Sequence, residues 1–418
     1  MYEIKRELLE VVKKHLFKKE ISLIIGPRQV GKTTLMLQLK KYLEEKGEKT
    51  LFFNLDIEAD RYHFSSQETL LKKINLEIGK SRGYVFIDEI QRKENAGLFL
   101  KGLYDSDLPY KFIVSGSGSL ELKEKIHESL SGRKMVFELN PISFSEFVNF
   151  KTNYKYEDNI FDFFNIEINK TKEFLKEYLM FGGYPRVVIE EVALEKRRII
   201  DEIFNSYLVK DISYLLKVEK TDVFSSLIKL LADQAGNLIN ISELSSTLGI
   251  SIATVQKYLW YAEKTFIIQK ITPYFRNKRK EIVKSPIIYF YDLGLRNYAL
   301  GVFGEERNTE RDGFVFQNFI FNCLKEKFLF SGRDIHFWRS KDNSEVDFVI
   351  VGGEEIIPIE VKFKEMKQPL VERSLRSFIE KYKSSKALVV NLNLNTEVKI
   401  NKTKIQFLTF TDLLKEEL

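Results

Sequence analysis

GPRQVGKTT, at residues 26–34, restricts what this chain can fold into more than any other stretch. It fits G-x-x-x-x-G-K-[ST] at every fixed position, and its neighbours supply the context such a match needs. Before it, ISLIIG (21–26) is an unbroken apolar run that reads as a buried strand. After it, KTTLMLQLKKYLEEKG (32–47) reads as a helix stopped by Gly47. The glycines let the backbone curl, so the segment Gly26, Pro27, Arg28, Gln29, Val30 and Gly31 can turn N–H groups toward the β- and γ-phosphates of a nucleotide. The helix N-terminus adds its partial positive charge. Lys32 is expected to reach the β/γ oxygens and the Thr33 hydroxyl to hold Mg2+, with Thr34 beside it. A tight strand–helix turn with a chance lysine is the competing explanation; motif and context together stand against it.

Further apolar strands follow at TLFFNL (50–55), YVFID (84–88), KFIVSG (111–116) and KMVFEL (134–139), each separated from the next by helical pattern. This alternation predicts a parallel sheet wrapped by helices, ending near Asn140-Pro141. In YVFIDEI (84–90) the acids come at the strand's C-terminal end, the end at which the phosphate loop also lies. Asp88 is expected to hold Mg2+ through water, and Glu89 to polarise the attacking water as general base. A helix N-cap is the competing explanation for Asp88, and the pairing with the phosphate loop stands against it. FIVSGSGS (112–119) places Ser115 or Ser117 to bond the γ-phosphate or the water, though Ser-Gly-Ser-Gly is also plain turn chemistry.

Bulk properties narrow the classes. With 418 residues and 44% hydrophobic content, the chain can build two to four domains, each with its own core. A formal net charge of +6 is compatible with nucleic acid. The single cysteine, Cys323, rules out an internal disulfide framework, and four scattered histidines cannot assemble a His/Cys zinc cluster. The start, MYEIKRELLEVVKKHLF, is amphipathic and charged throughout, with no secretory h-region, and no run approaches a membrane span. The expected location is cytoplasmic, with no membrane partner.

From about 143 to 230 the pattern is mostly helical, broken at FGGYPR (181–186). NLINISELSSTLGISIATVQKYLWYAEKTFII (237–268) then gives two short helices around Gly249, with Ser251 capping the second: a helix-turn-helix. ITPYFRNKRKEIVKSPIIYFYD (271–292) reads as a hairpin wing whose tip, RNKRKEIVK, would neutralise phosphates regardless of sequence. Gln256 and Lys257 are the best base-reading candidates. DNA binding through 251–284 is one expectation; a winged helix that only packs beside its neighbours is the other.

At SEVDFVIVGGEEIIPIEVK (344–362) two apolar runs flank a Gly-Gly turn. Strand alternation would put Glu345 and Asp347 on one face, with Val346, Phe348 and Ile350 on the other. Glu360 and Lys362 share a face, so a hairpin brings Asp347, Glu360 and Lys362 together. Two carboxylates can hold a divalent metal against a phosphodiester while a lysine orients water. The surrounding order is helix (313–328), strand (335–340), the hairpin, helix (369–383) and strand (386–393).

These residues resemble one group, the archaeal and bacterial P-loop ATPases of the AAA type whose C-terminal half is a domain of unknown function. The resemblance is carried by GPRQVGKTT, FIDEIQ (86–91), SGSGS, SGR and LNPISFSEF (131–147), FGGYPRVV (181–188), GFVFQNFI, EVDFVI and IEVK, and spans nearly the whole chain. It implies ATP and Mg2+ as cofactors. Arg133 resembles the finger arginine with which AAA+ ATPases act on a neighbour's nucleotide, which would require a homo-oligomer; a surface arginine ending a helix explains it as well. FGGYPRVV resembles the Gly-x-Pro element of signalling ATPases, which would bring Pro185 near the adenine; a loop between helices is the plainer reading. The C-terminal order resembles the PD-(D/E)xK nuclease core, with Asp347, Glu360 and Lys362 on its motif and Gln317 where many members carry a glutamate.

The expected architecture is α/β and multidomain. It comprises a P-loop (ASCE/AAA-like) parallel sheet at 1–142, a helical lid at 143–230, a winged helix at 231–300 and a restriction-endonuclease-like α/β domain at 308–418. The expected function is Mg-dependent ATP hydrolysis coupled to DNA, with a nuclease-like tail. The alternative is a nucleotide-state switch or scaffold that binds a protein partner and cleaves nothing.

Overall fold

The computed structural model describes residues 4–117, 129–206, 221–275, 285–305, 311–329, 331–340 and 344–416. By their contacts they form two compact units built from separated segments: 1–150, 183–222 and 257–267 in the first, 151–182, 223–256 and 268–418 in the second.

The first unit is organised by five parallel strands: β1 (Ile21–Gly26), β2 (Thr50–Asn54), β3 (Gly83–Asp88), β4 (Tyr110–Ser117) and β5 (Lys134–Glu138). Their order across the sheet is β2-β3-β4-β1-β5. Parallel strands need helical crossovers, which cover the sheet and let its central strands be apolar on both sides. Accordingly β1 and β3 are buried along their whole length. On one face, Leu35, Met36, Leu39 and Leu43 of the helix Lys32–Glu45 join Ile24, Phe86, Ile113 and Phe137 in a single apolar cluster. The P-loop α/β sheet expected from the sequence is thus present, with strand ends within a residue or so of expectation.

Parallel pairing carries a consequence for chemistry. All C-terminal ends lie along one edge, so Gly26, Asp88 and Ser115 arrive there together from distant parts of the chain. The sheet order also reverses at β1, the place where α/β sheets open a crevice.

In the second unit the helix Ile241–Leu248 ends at Gly249, and the Ser251 hydroxyl accepts from the Thr254 N–H at 3.1 Å; the helix begun there, Ile252–Lys264, has its residues from 257 onward in the first unit's segment 257–267. Strands β6 (Ile268–Ile271) and β7 (Ile287–Phe290) then pair antiparallel. The basic stretch expected at a wing tip, 276–284, lies outside the described residues.

A six-stranded mixed sheet completes this unit. It is built from β8 (Asp334–Arg339), β9 (Glu345–Gly352), β10 (Glu355–Val361), β11 (Lys386–Asn391), β12 (Thr396–Ile400) and β13 (Thr403–Thr409), in the order β12-β13-β11-β10-β9-β8. β8 to β10 form an antiparallel meander, while β11 runs parallel to β10 after a crossover through the helix Arg373–Tyr382. The sequence reading stopped at β11. It missed β12, β13 and the closing helix Phe410–Lys415, because TEVKI alternates with charged residues and buries none of its positions fully.

One expectation about β9 fails. Its pairing with β8 slips between His336 and Trp338, so that Trp338 faces Val346 while His336 faces Val349. An extra residue on one strand is a β-bulge, and it breaks the two-residue alternation. Val346 and Val349 therefore enter the same cluster with Leu375 and Phe378, whereas Phe348 stacks on Phe321. Val346 and Phe348 do not share a face, as strict alternation required.

At the loop itself, Gly26 admits no larger residue. A Cβ added there would lie 2.2 Å from the Leu139 carbonyl oxygen, which is backbone and cannot swing aside. Gly26→Ala is expected to cost about 1–3 kcal/mol through overpacking. A melting curve of nucleotide-free protein checks this, and an unchanged transition would contradict the packing.

Candidate functional site

The loop from Gly26 to Gly31 joins β1 to the helix Lys32–Glu45. Gly31, the residue before the helix, takes a φ of 98°, and Gln29 one of 56°, so the chain passes twice through the left-handed region. Lys32 is buried at the first helical position. Its ammonium donates to the carbonyls of Gly26 at 3.1 Å and Pro27 at 2.7 Å, spanning the loop it belongs to. Pro27 and Val30 are buried, Arg28 and Gln29 half-buried, and Thr33 and Thr34 exposed.

Next to the loop, the Thr33 hydroxyl donates to Asp88 Oδ2 at 2.7 Å. The other oxygen of Asp88 accepts from the buried Ser115 hydroxyl and, at 3.1 Å, from the Glu89 N–H. Two strand ends and a helix start therefore converge on one carboxylate, itself only 1% exposed. Ser115 touches Asp88 and the Glu89 N–H at 3.3 Å; its part here is to hold the acid. Glu89 leaves β3 with φ 57°, ψ 43°, a left-handed turn that carries its side chain away from the strand direction. Burial raises its carboxyl above the ordinary range, partly offset by the Lys32 ammonium, and the Gln91 amide donates to Glu89 Oε2.

Oxygen donors of this kind suit a hard divalent cation, and Thr33 with Asp88 is the pair that fits Mg2+. Pro185 also comes to the loop: its Cγ lies 4.0 Å from where a Gly31 Cβ would stand. Next to it, Arg186 donates to Gln29 Oε1 at 2.9 Å and pairs with Glu202. Arg133 is not brought there. It directly precedes β5, its carbonyl accepts from Ile21 at the far end of β1, and its side chain pairs with Asp105 at 2.7 Å.

The second unit gathers another set. Asp347 Oδ1 accepts from the Gln317 amide at 2.7 Å, and Oδ2 from the Val361 N–H at 2.7 Å. Lys362 lies 3.4 Å from Glu360 Oε2 and 2.8 Å from Glu372 Oε1. The Glu360 oxygen has charge attraction to Lys362 but no aligned donor, and it is buried. The expected Asp347, Glu360 and Lys362 are thus together. Burial, and then the neighbouring Asp347, push the Glu360 carboxyl up to about 8. Burial likewise raises Asp347 to about 6, against the pull of the Val361 N–H. Burial pulls Lys362 down, but Glu360 and Glu372 outweigh it and leave the ammonium above its usual value.

For a metal, this site offers one unpartnered carboxylate oxygen and one fully bonded carboxylate. Among the described residues no group of three or more His, Cys, Asp or Glu side chains is arranged to hold a metal ion.

Several participants carried no signal in the sequence. Arg6 and Glu146 sit in ordinary helical patterns, and Glu372 lies in a charged stretch. Gln91 directly follows FIDEI and could have been found from its spacing to Glu89.

Residues 18–148 match the family model described as an AAA domain, so the first unit carries a P-loop domain of the AAA ATPase type. Residues 172–306 and 312–412 match two models described as domains of unknown function (DUF8612 and DUF4143). Among curated proteins, an uncharacterized protein of Haemophilus influenzae is 28% identical, the match covering 82% of each chain. An uncharacterized protein of Methanocaldococcus jannaschii is 27% identical over 91% of this chain and 83% of its own. Among solved structures, the Aeropyrum pernix ORC1 protein in complex with DNA aligns at 11% identity and a TM-score of 0.30. That alignment covers 70% of this chain and 91% of the other. No described helix is long and apolar enough to cross a membrane.

The carboxyl pair yields a pH prediction. A buried acid whose folded pKa is raised keeps its full stability below its unfolded value of 4.5 and loses it as pH rises through about 8. The wild-type melting temperature should fall across that window in metal-free buffer. Glu360→Gln, which has no proton to lose, should flatten the fall; an equally steep profile in the variant would place the titration elsewhere.

Proposed function

We propose that the first unit binds and hydrolyses ATP with Mg2+. The observation that carries this reading is the convergence of Lys32, Thr33, Asp88 and Glu89 at the end of β1 and β3. Lys32 exchanges its two loop carbonyls for phosphate oxygens of equal or greater charge. Thr33 and Asp88 hold Mg2+, which supplies charge neutralisation for the transferring phosphoryl group. Glu89, made more basic by burial, orients the attacking water and accepts its proton. Ser115 keeps Asp88 in place. Pro185, which stands beside the loop at Gly31, is the residue expected to reach toward the adenine. Arg133, remote from its own loop, acts only on a neighbour's nucleotide within a homo-oligomer.

On this reading the segments after the core to 142 are a lid to 230, a winged helix to 300 and a PD-(D/E)xK-like domain from 308. Coupling to DNA through 251–284 is supported by the exposed Gln256 and Lys257 on the second helix of the pair. A second reading is favoured by Gln317. Its amide already bonds Asp347 where a third acid would bind metal, which suits an inactive nuclease fold serving a protein-binding switch.

Two measurements separate these possibilities. Lys32→Ala should remove ATP and ADP binding in calorimetry, while Glu89→Gln should bind ATP and turn it over at least about 100-fold more slowly, the scale of a lost general base. DNA should raise wild-type turnover; indifference to single strands, duplexes and forks favours the switch. For the second unit, Asp347→Ala should abolish any Mn2+-dependent nicking seen with wild-type protein. Nicking that survives the substitution removes this carboxylate from the chemistry, and no nicking in the wild type leaves the domain a binding platform.

A further inference from the structure

Arg6 is a buried cation that neither the motifs nor the proposed chemistry use. All three nitrogens of its guanidinium donate hydrogen bonds. Nε donates to Glu146 Oε2 at 3.0 Å, Nη1 to the Val30 carbonyl at 3.1 Å, and Nη2 to the carbonyls of Asn140 at 2.6 Å and Pro141 at 3.4 Å. Glu146 is held in turn by the N–H groups of Glu7 at 2.7 Å and Ser143 at 3.0 Å. The ion pair is nearly sealed, with both side chains under 10% exposed.

Such a pair is a poor device for stability alone, since well-packed apolar residues of similar volume often do as well or better. Its geometry points elsewhere. Val30 belongs to the phosphate loop, and the peptide between Val30 and Gly31 is trans. In a planar trans peptide the C=O and N–H project to opposite sides. A donor that draws the Val30 carbonyl outward therefore turns the Gly31 N–H the other way, into the curl of the loop. Only a planar fork can do this while also gripping Glu146 and Asn140; a lysine cannot reach all three.

We propose that Arg6 is a positioning residue for phosphate binding: anchored by Glu146, it fixes the Val30–Gly31 peptide so that the Gly31 N–H is presented to the nucleotide's phosphates. This rests on the nucleotide reading of the loop. It also explains why PISFSEF, carrying Ser143 and Glu146, directly follows the last strand of the sheet: that stretch supplies the anchor.

The test compares Arg6→Lys, Glu146→Gln and Lys32→Ala with the wild type by calorimetry with ADP and with ATP and Mg2+, by melting temperature, and by turnover. Arg6→Lys should weaken both nucleotides about tenfold, the change that follows loss of one charge-assisted hydrogen bond. The penalty should fall on KM, with kcat close to wild type. Glu146→Gln cuts the ion pair but leaves the bond to Val30, so it should lower the melting temperature while changing affinity far less. Should Arg6→Lys fail to fold, Arg6→Gln, which keeps two donors without the charge, gives the same reading. Wild-type affinity in the folded Arg6 variant overturns the inference, as does a loss that merely tracks melting temperature in both variants. If wild type binds nucleotide and Lys32→Ala does not, such a result removes Arg6 and leaves the loop assignment standing. A wild type that binds neither nucleotide removes both.

Discussion

An anion can be held by backbone only where the backbone's own oxygens are turned away from it. This requirement governs the first unit. A loop of six residues cannot hold that conformation by itself, because each peptide has an alternative in which its carbonyl faces inward. The surroundings remove the alternatives. The Leu139 carbonyl presses on Gly26 and leaves no room for a side chain there. Arg6 takes the Val30 carbonyl, and Arg186 takes the Gln29 side chain. Lys32 occupies the carbonyls of Gly26 and Pro27. The loop is thus set by contacts from the chain start, from the segment after β5 and from the stretch around Pro185.

The same logic explains the arrangement at β3. Asp88 sits at a sheet edge among apolar strands, where an unpartnered carboxylate would be expensive. Thr33, Ser115 and the Glu89 N–H surround it, each delivered by a different element. Glu89 has a single side-chain donor, Gln91, and burial makes its carboxyl reluctant to ionise. Adjacent acids are thereby given opposite characters, one fixed by donors and one kept basic.

How much of this could be read in advance depends on whether the determinant was local. The phosphate loop, its strand and its helix are a contiguous pattern with a fixed backbone meaning, and Asp88 and Glu89 follow from a strand's apolar run ending in acids. The convergence of Asp347, Glu360 and Lys362 was legible because a short hairpin sets the register. What was not legible involves partners far apart in sequence. Arg6 and Glu146 lie 140 residues apart, and each alone is an ordinary charge on a helical pattern. The bulge in β9 leaves no mark in EVDFVIV, since one extra residue changes the facing of side chains without changing composition. β12 carries little signal because a half-exposed edge strand needs few apolar residues.

The bulge also bears on the second site. Without it, Asp347 and Val346 would keep strict opposition along the whole strand, and Phe348 would have to join Val346 against the helix Arg373–Tyr382. With it, Asp347 and Phe348 both meet the helix Arg311–Lys327, the first through Gln317 and the second through Phe321. The acid is thereby buried beside Glu360, and burial followed by the neighbouring Asp347 raises the Glu360 carboxyl. Mutual repulsion at that depth is a cost that packing alone gives no reason to accept, since apolar residues would fill the same space more cheaply. Lys362, shared between Glu360 and Glu372, is the cation that faces the pair.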